Sequence, residues 1–180
     1  MVTDLTELGQ GLPPRALSMI THIIVHRIED GEDARAVAQF FKSNPQWTGG
    51  GMGYAIVIKR DGTIEQACAL NRRAPGARAA NGCGIQVACV GDFRKHEPTV
   101  SQWGALCDVC EDLATFIGPN AKIMGHTEFP GASADPNKVC PGPLLDMNAL
   151  RDLVEDTKVY WPKTLARTRC EALGYVFERK

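Results

Sequence analysis

Between Gly125 and Gly142 the chain reads GHTEFPGASADPNKVCPG, which sets His126, Lys138 and Cys140 in a run of glycine, proline and small polar residues. Such a run can be neither a helix nor a central strand, because its residues favour turns. A loop carrying an imidazole, an ammonium and a thiol can hold a metal or stabilise a charge. A second imidazole, His26, closes the apolar run ITHIIVH at Ile20 to His26. Two histidines and one cysteine with an open fourth position suit tetrahedral zinc in a catalytic site. A structural site would need a fourth protein ligand, and the sequence offers no convincing one. His22 shares a strand face with His26, but at about 3.3 Å per residue the two lie roughly 13 Å apart, so only one can serve. His26 is the choice because it stands at the strand end; His22 is expected to pack in the sheet. Taken singly, each histidine reads equally well as a hydrogen-bonded structural residue.

The elements around these residues follow from hydrophobic spacing. Ile20 to His26 is a beta-branched run that reads as a buried strand. Gly31 to Lys42 carries Ala34, Val37, Ala38 and Phe41 at helical spacing and stops before Asn44-Pro45. After the glycine cluster TGGGMG, Tyr54 to Lys59 and a run from Thr63 form a hairpin turned at Arg60-Asp61-Gly62. Gly84 to Val90 is a fourth strand, Thr99 to Ile117 a long helix stopped by Gly118-Pro119, and Ala121 to Met124 a short strand that delivers His126. If that strand neighbours the one ending at His26, the two imidazoles converge. Leu144 to Thr157 reads as an amphipathic helix, and RTRCEALGYVF as another helix followed by an edge strand. The expected fold class is α/β, a single domain with a central mixed β-sheet flanked by helices. Its expected parts are a loosely ordered lead-in over 1–18, a catalytic domain over 19–157 and a C-terminal extension over 158–180.

Composition bounds the function. With 180 residues, 44% hydrophobic and 23% charged, the chain can bury one substantial core. A formal net charge of -1 argues against holding nucleic acid or an acidic membrane by bulk charge. The N-terminus, MVTDLTELGQGLPPRALSM, places acids, glycine and proline where a secretory signal needs an apolar core, so no signal peptide is expected. No stretch approaches the roughly 18 apolar residues of a membrane span, and a soluble protein is expected. Seven cysteines, an odd number in apolar contexts, read as reduced thiols. Cys107 and Cys110 share one helix face and are assigned to core packing.

Several segments together resemble a known family. GYAIVIKRDGTIEQ, then GARAANGCGIQVACVGDF, then GH followed by KVCPG, occur in this order in the zinc-dependent N-acetylmuramoyl-L-alanine amidases, the fold shared by phage amidase endolysins and peptidoglycan recognition proteins. The resemblance spans about Ile20 to Leu150. It implies one zinc ion held by His26, His126 and Cys140, with Tyr54 and Lys138 at positions that are catalytic in the phage-type enzymes. The chemistry is consistent: a phenol and an ammonium beside a metal can donate to the oxyanion of a tetrahedral intermediate. Apart from the resemblance, Tyr54 would read as a half-buried strand residue and Lys138 as a solvated loop lysine. Arg78 and Asn81 are expected to line the substrate groove. Ala55 and Arg78 stand where many relatives have histidine, and Ala88 where one branch carries a glutamate proposed as general base, so no base is assigned.

The implied activity is hydrolysis of the amide between the lactyl group of N-acetylmuramic acid and L-alanine in peptidoglycan. Cys140 and Lys138 point to the endolysin type, since recycling amidases usually have an acidic third ligand. The expected partner is the muramyl peptide, with no nucleic acid or membrane, and the expected state is a monomer. It would act from the host bacterial cytoplasm and reach the wall on lysis. The rival reading is a peptidoglycan-binding module without catalysis, whose members typically lack the cysteine ligand. Glycan cleavage would need paired carboxylates flanking a glycosidic oxygen, and Asp61, Glu128 and Asp135 are not placed as such a pair.

Overall fold

In the computed structural model, residues 1–29, 31–45, 47, 51–135, 137–157 and 163–178 are described. Among the described residues, six strands and four helices follow one another: β1 (Val2–Asp4), β2 (His22–Ile28), α1 (Ala34–Ser43), β3 (Ile56–Ile58), β4 (Ile64–Gln66), β5 (Gly84–Val90), α2 (Val100–Ile117), β6 (Lys122–Gly125), α3 (Met147–Thr157) and α4 (Lys163–Ala172). The strands form one sheet in the order β1-β4-β3-β5-β2-β6. All neighbours are parallel except the β3–β4 hairpin, so the sheet is mixed, as expected. Of the described residues, no helix is long and apolar enough to cross a membrane.

The central strands are buried on both faces, which is why β5 reads as a continuous apolar run. Side chains alternate along β2. Ile23 and Val25 enter the main core, whereas Ile24 packs in a separate small cluster with Ala77, Ala80 and Ala132. His22 and His26 share the parity of Ile24, so the histidines lie on the face covered by the 77–80 and 129–132 segments. On the main-core side α2 packs against β2, β3, α3 and α4. Gln102, fully buried on α2, donates from Nε2 to the carbonyls of Ile58 (3.1 Å) and Val90 (2.9 Å), pinning the helix to the ends of two strands.

Local chemistry sets the helix ends. Asp33 caps α1 by accepting from the Ala36 N–H at 2.8 Å, and Thr99 caps α2 through Gln102 N–H at 3.1 Å. The latter helix stops at Gly118, whose φ of +100° suits glycine. The lead-in is ordered, contrary to expectation: Val2–Asp4 pairs in parallel with β4 and takes the sheet edge. The segment after α4 forms no strand over 175–178, yet it is tied down, because Leu70 N–H donates to Val176 O (3.1 Å) and Asn71 N–H to Phe177 O (2.7 Å). Val2 N–H donates to Leu173 O at 3.0 Å, tying β1 to the turn that follows α4. The stretch 158–162 of the expected extension, and 48–50 of the glycine cluster, lie outside the described residues.

Candidate metal centre and cleft

β2 and β6 are hydrogen-bonded neighbours, and their register explains why two histidines meet. The pairing runs from His22↔Lys122 to Val25↔Gly125 and ends there. β2 continues through His26 to Ile28, so His26 is not the strand end; it is the first residue of β2 past its partner's end. His126, next after Gly125, opens a single 3-10 turn instead of extending the strand. The two rings come to 4.6 Å between centroids. The loop then returns to the same place: Thr127 donates to Cys140 O from both its N–H (3.1 Å) and its hydroxyl (3.0 Å), fastening the two ends of the 126–140 segment. Gly125 permits the closure, since a Cβ there would lie 2.8 Å from Cδ of Pro141.

His26, His126 and Cys140 are 1%, 3% and 5% exposed, and one ligand atom from each lies within 4.8 Å of the others. Cys140 Sγ is 4.0 Å from His26 Nδ1. Among the described residues no other group of three such side chains is gathered in this way. His126 Nε2 lies 3.2 Å from the carbonyl of Ala132, which can only accept, so the proton sits on Nε2. Its Nδ1 is buried with no hydrogen-bond partner. A buried bare nitrogen is costly by about 1–3 kcal/mol unless something occupies its lone pair, and a cation beside a second imidazole and a thiol does so. The donor set fits zinc.

Burial dominates the electrostatics. It lowers the pKa of His26 well below the ordinary range, with the neighbouring His126 and Lys138 acting in the same direction and the Gln86 hydrogen bond against it. Burial likewise lowers His126, opposed by the Ala132 bond. Both rings are therefore neutral, the form that binds metal. Burial raises the Cys140 thiol, against the Arg27 backbone N–H and the charges of Lys138 and Arg27.

A cleft of about 320 Å³ opens beside the trio, and its walls include Tyr54, Lys138, Arg27, Glu29 and Phe40 together with His126 and Cys140. Tyr54 lies just ahead of β3, with its ring 5.0 Å from that of His26 and its pKa pushed up by burial first and the Cys140 thiol second. Lys138 is exposed at the loop's end. Five of the residues singled out from the sequence thus share one place. Arg78 and Asn81 do not line this cleft: Arg78 is exposed on a 3-10 turn, and Asn81 Oδ1 accepts from Ala77 N–H at 2.8 Å. That turn packs near the loop, since a Cβ on Gly131 would lie 3.4 Å from Ala79 Cβ. His22 is half-buried, with its ring 5.1 Å from Phe129, and takes no part in the trio.

The sequence reading missed Arg27 and Glu29. Arg27, 8% exposed, donates to Pro141 O (3.3 Å) and to Glu29 (2.7 Å), and Glu29 also accepts from Arg94 (2.6 Å). A charged residue inside the apolar run IIVHRI was the available signal.

Comparison with known proteins agrees with the fold. The model of the N-acetylmuramoyl-L-alanine amidase family matches residues 16–143. No curated protein sequence matches. The endolysin amidase LysCS from Clostridium intestinale superposes with a TM-score of 0.70 at 18% identity, over 86% of this chain and 95% of that one. The Ph2119 endolysin from a Thermus scotoductus bacteriophage gives 0.71 at 18% identity, over 86% and 99%. A mutant of Drosophila PGRP-LB in complex with tracheal cytotoxin gives 0.68 at 18% identity, over 80% and 89%.

Proposed function

Because the chain belongs to the N-acetylmuramoyl-L-alanine amidase family, with the family model matching residues 16–143, we propose that it is a zinc-dependent hydrolase of the amide joining N-acetylmuramic acid to L-alanine in peptidoglycan. The observation that carries this reading is the buried His26, His126 and Cys140 trio, with the unpartnered Nδ1 of His126, beside a cleft. Zinc bound there would supply Lewis-acid polarisation of the scissile carbonyl and activation of water.

The rest of the work falls to the chain's own groups. Tyr54 keeps its proton, because burial raises its pKa, and so offers an O–H donor toward the carbonyl oxygen as that oxygen gains charge. Lys138 brings a cation to the same cleft from the loop side. The two therefore act as oxyanion donors and not as ligands. Arg78, exposed on the turn held by Asn81, would extend the groove toward the carboxylates of the stem peptide. Cys140 as third ligand with Lys138 beside it supports an endolysin role, in which a monomer acts on the wall from the cytoplasm at lysis.

Digestion of purified peptidoglycan tests the bond cut. It should release stem peptides with free L-alanine amino groups, leave glycan strands without new reducing ends, and stop with a zinc chelator. Binding to peptidoglycan without release of amines would mark the chain as a wall-binding module, and reducing ends without amines would overturn the amidase reading.

A further inference from the structure

We propose that Gln86 is a positioning residue that fixes the orientation and tautomer of His26, aiming its Nδ1 at the metal position. The proposal rests on the metal reading above. Gln86 is fully buried in β5, on the strand adjacent to His26, and its Oε1 lies 2.8 Å from His26 Nε2. An amide can face a ring nitrogen with either end, so the other end decides. Gln86 Nε2 lies 3.3 Å from Gly84 O, a carbonyl that also accepts from Arg15 at 2.7 Å. A carbonyl cannot donate, and a flipped amide would set two oxygens against each other. Oε1 therefore faces His26 and accepts, which puts the proton on Nε2 and leaves Nδ1 bare on the side of Cys140, 4.0 Å away.

The arrangement is built into the strand. Gly84 provides the space in which the glutamine folds back, because a Cβ at that position would lie 3.1 Å from Gln86 Nε2. No water reaches a fully buried amide to replace the bond. His126 receives the same treatment from a different source, the backbone carbonyl of Ala132. Gln86 does by side chain what the loop does by backbone, and it does so without adding charge to the site. Partners of this kind typically tune metal affinity about 10–100-fold.

Gln86→Met keeps nearly the same volume and removes the acceptor. Gln102→Met serves as control, since Gln102 is equally buried and bonds only backbone carbonyls remote from the histidines. Two readouts are needed: zinc affinity by competition with a chromophoric chelator, and long-range proton–nitrogen spectra of the metal-free protein. The wild type should show His26 protonated on Nε2, with that proton protected from exchange. Gln86→Met should lose the protection and bind zinc about tenfold or more weakly, whereas Gln102→Met should lower the melting temperature and leave the zinc affinity unchanged. A wild-type His26 protonated on Nδ1 overturns the proposal without any variant, as does an affinity in Gln86→Met no weaker than in Gln102→Met. If the wild type takes up no zinc, the metal reading falls, and the metal-free spectra still decide whether Gln86 holds the ring.

Discussion

Burial keeps both imidazoles neutral and raises the Cys140 thiol, so the trio is poised to receive a cation and to release a proton from sulfur on doing so. His126→Ala and Cys140→Ala should each abolish zinc binding by elemental analysis, whereas His22→Ala, which removes a ring packed on Phe129, should retain it. Tyr54→Phe and Lys138→Ala should keep the metal yet cut turnover by about 100-fold or more, the usual cost of losing an oxyanion donor. Wild-type turnover in both variants would reduce the two side chains to ordinary wall residues. That His26, His126, Cys140, Tyr54 and Lys138 gather in one place was legible in the sequence because their types are scarce in such contexts and their order matches a family. Gln86 was not, since a glutamine inside GIQVACV acquires meaning only from a partner 60 residues earlier on a neighbouring strand. Arg78 and Asn81 were read from order alone, and order does not say which wall of a groove a turn will face.

At the scale of elements, the site depends on how closely β6 and the CPG segment approach. Gly125→Ala would press a methyl group onto Pro141, 2.8 Å from its Cδ, and overpacking of this kind costs about 1–3 kcal/mol. Melting should fall and zinc binding should weaken together, because Pro141 follows Cys140 of the buried trio. A separate contact joins α2 to α4, where Asp112 lies 3.3 Å from Arg169. Burial pushes Asp112 up to about 6 from its ordinary 3.8. Between those values the native state binds the proton more tightly than the unfolded chain, so this stabilisation is complete below the lower value and is lost as pH rises through the upper one. Asp112→Asn stays neutral, and its melting temperature should be flatter than the wild type's across that window. β5 and α2 were readable nearly to the residue because each is a long periodic run with clear punctuation. β1 was not: three residues carry no period, and their partner, β4, lies some sixty positions downstream.

Over the whole molecule, the order of the sheet sets the strands that position the two histidines apart from the first strand. The tail after α4 contributes to the core through Tyr175 and Phe177, with the Phe177 ring 4.5 Å from Phe116. Phe177→Ala should cost about 3–5 kcal/mol in denaturant unfolding. Zinc content at low temperature should be unchanged, since none of His26, His126 and Cys140 belongs to that cluster; loss of metal in the folded variant would show that core and trio are coupled. The bond from Val2 to Leu173 has an architectural consequence. It fixes the N-terminal strand to the turn after α4 at the β1 edge, four strand positions from β2 and so about 19 Å from the strand that carries His26. A targeting module grafted ahead of β1 would therefore leave from a flank remote from His26, and such a fusion should leave access to a polymeric substrate unchanged.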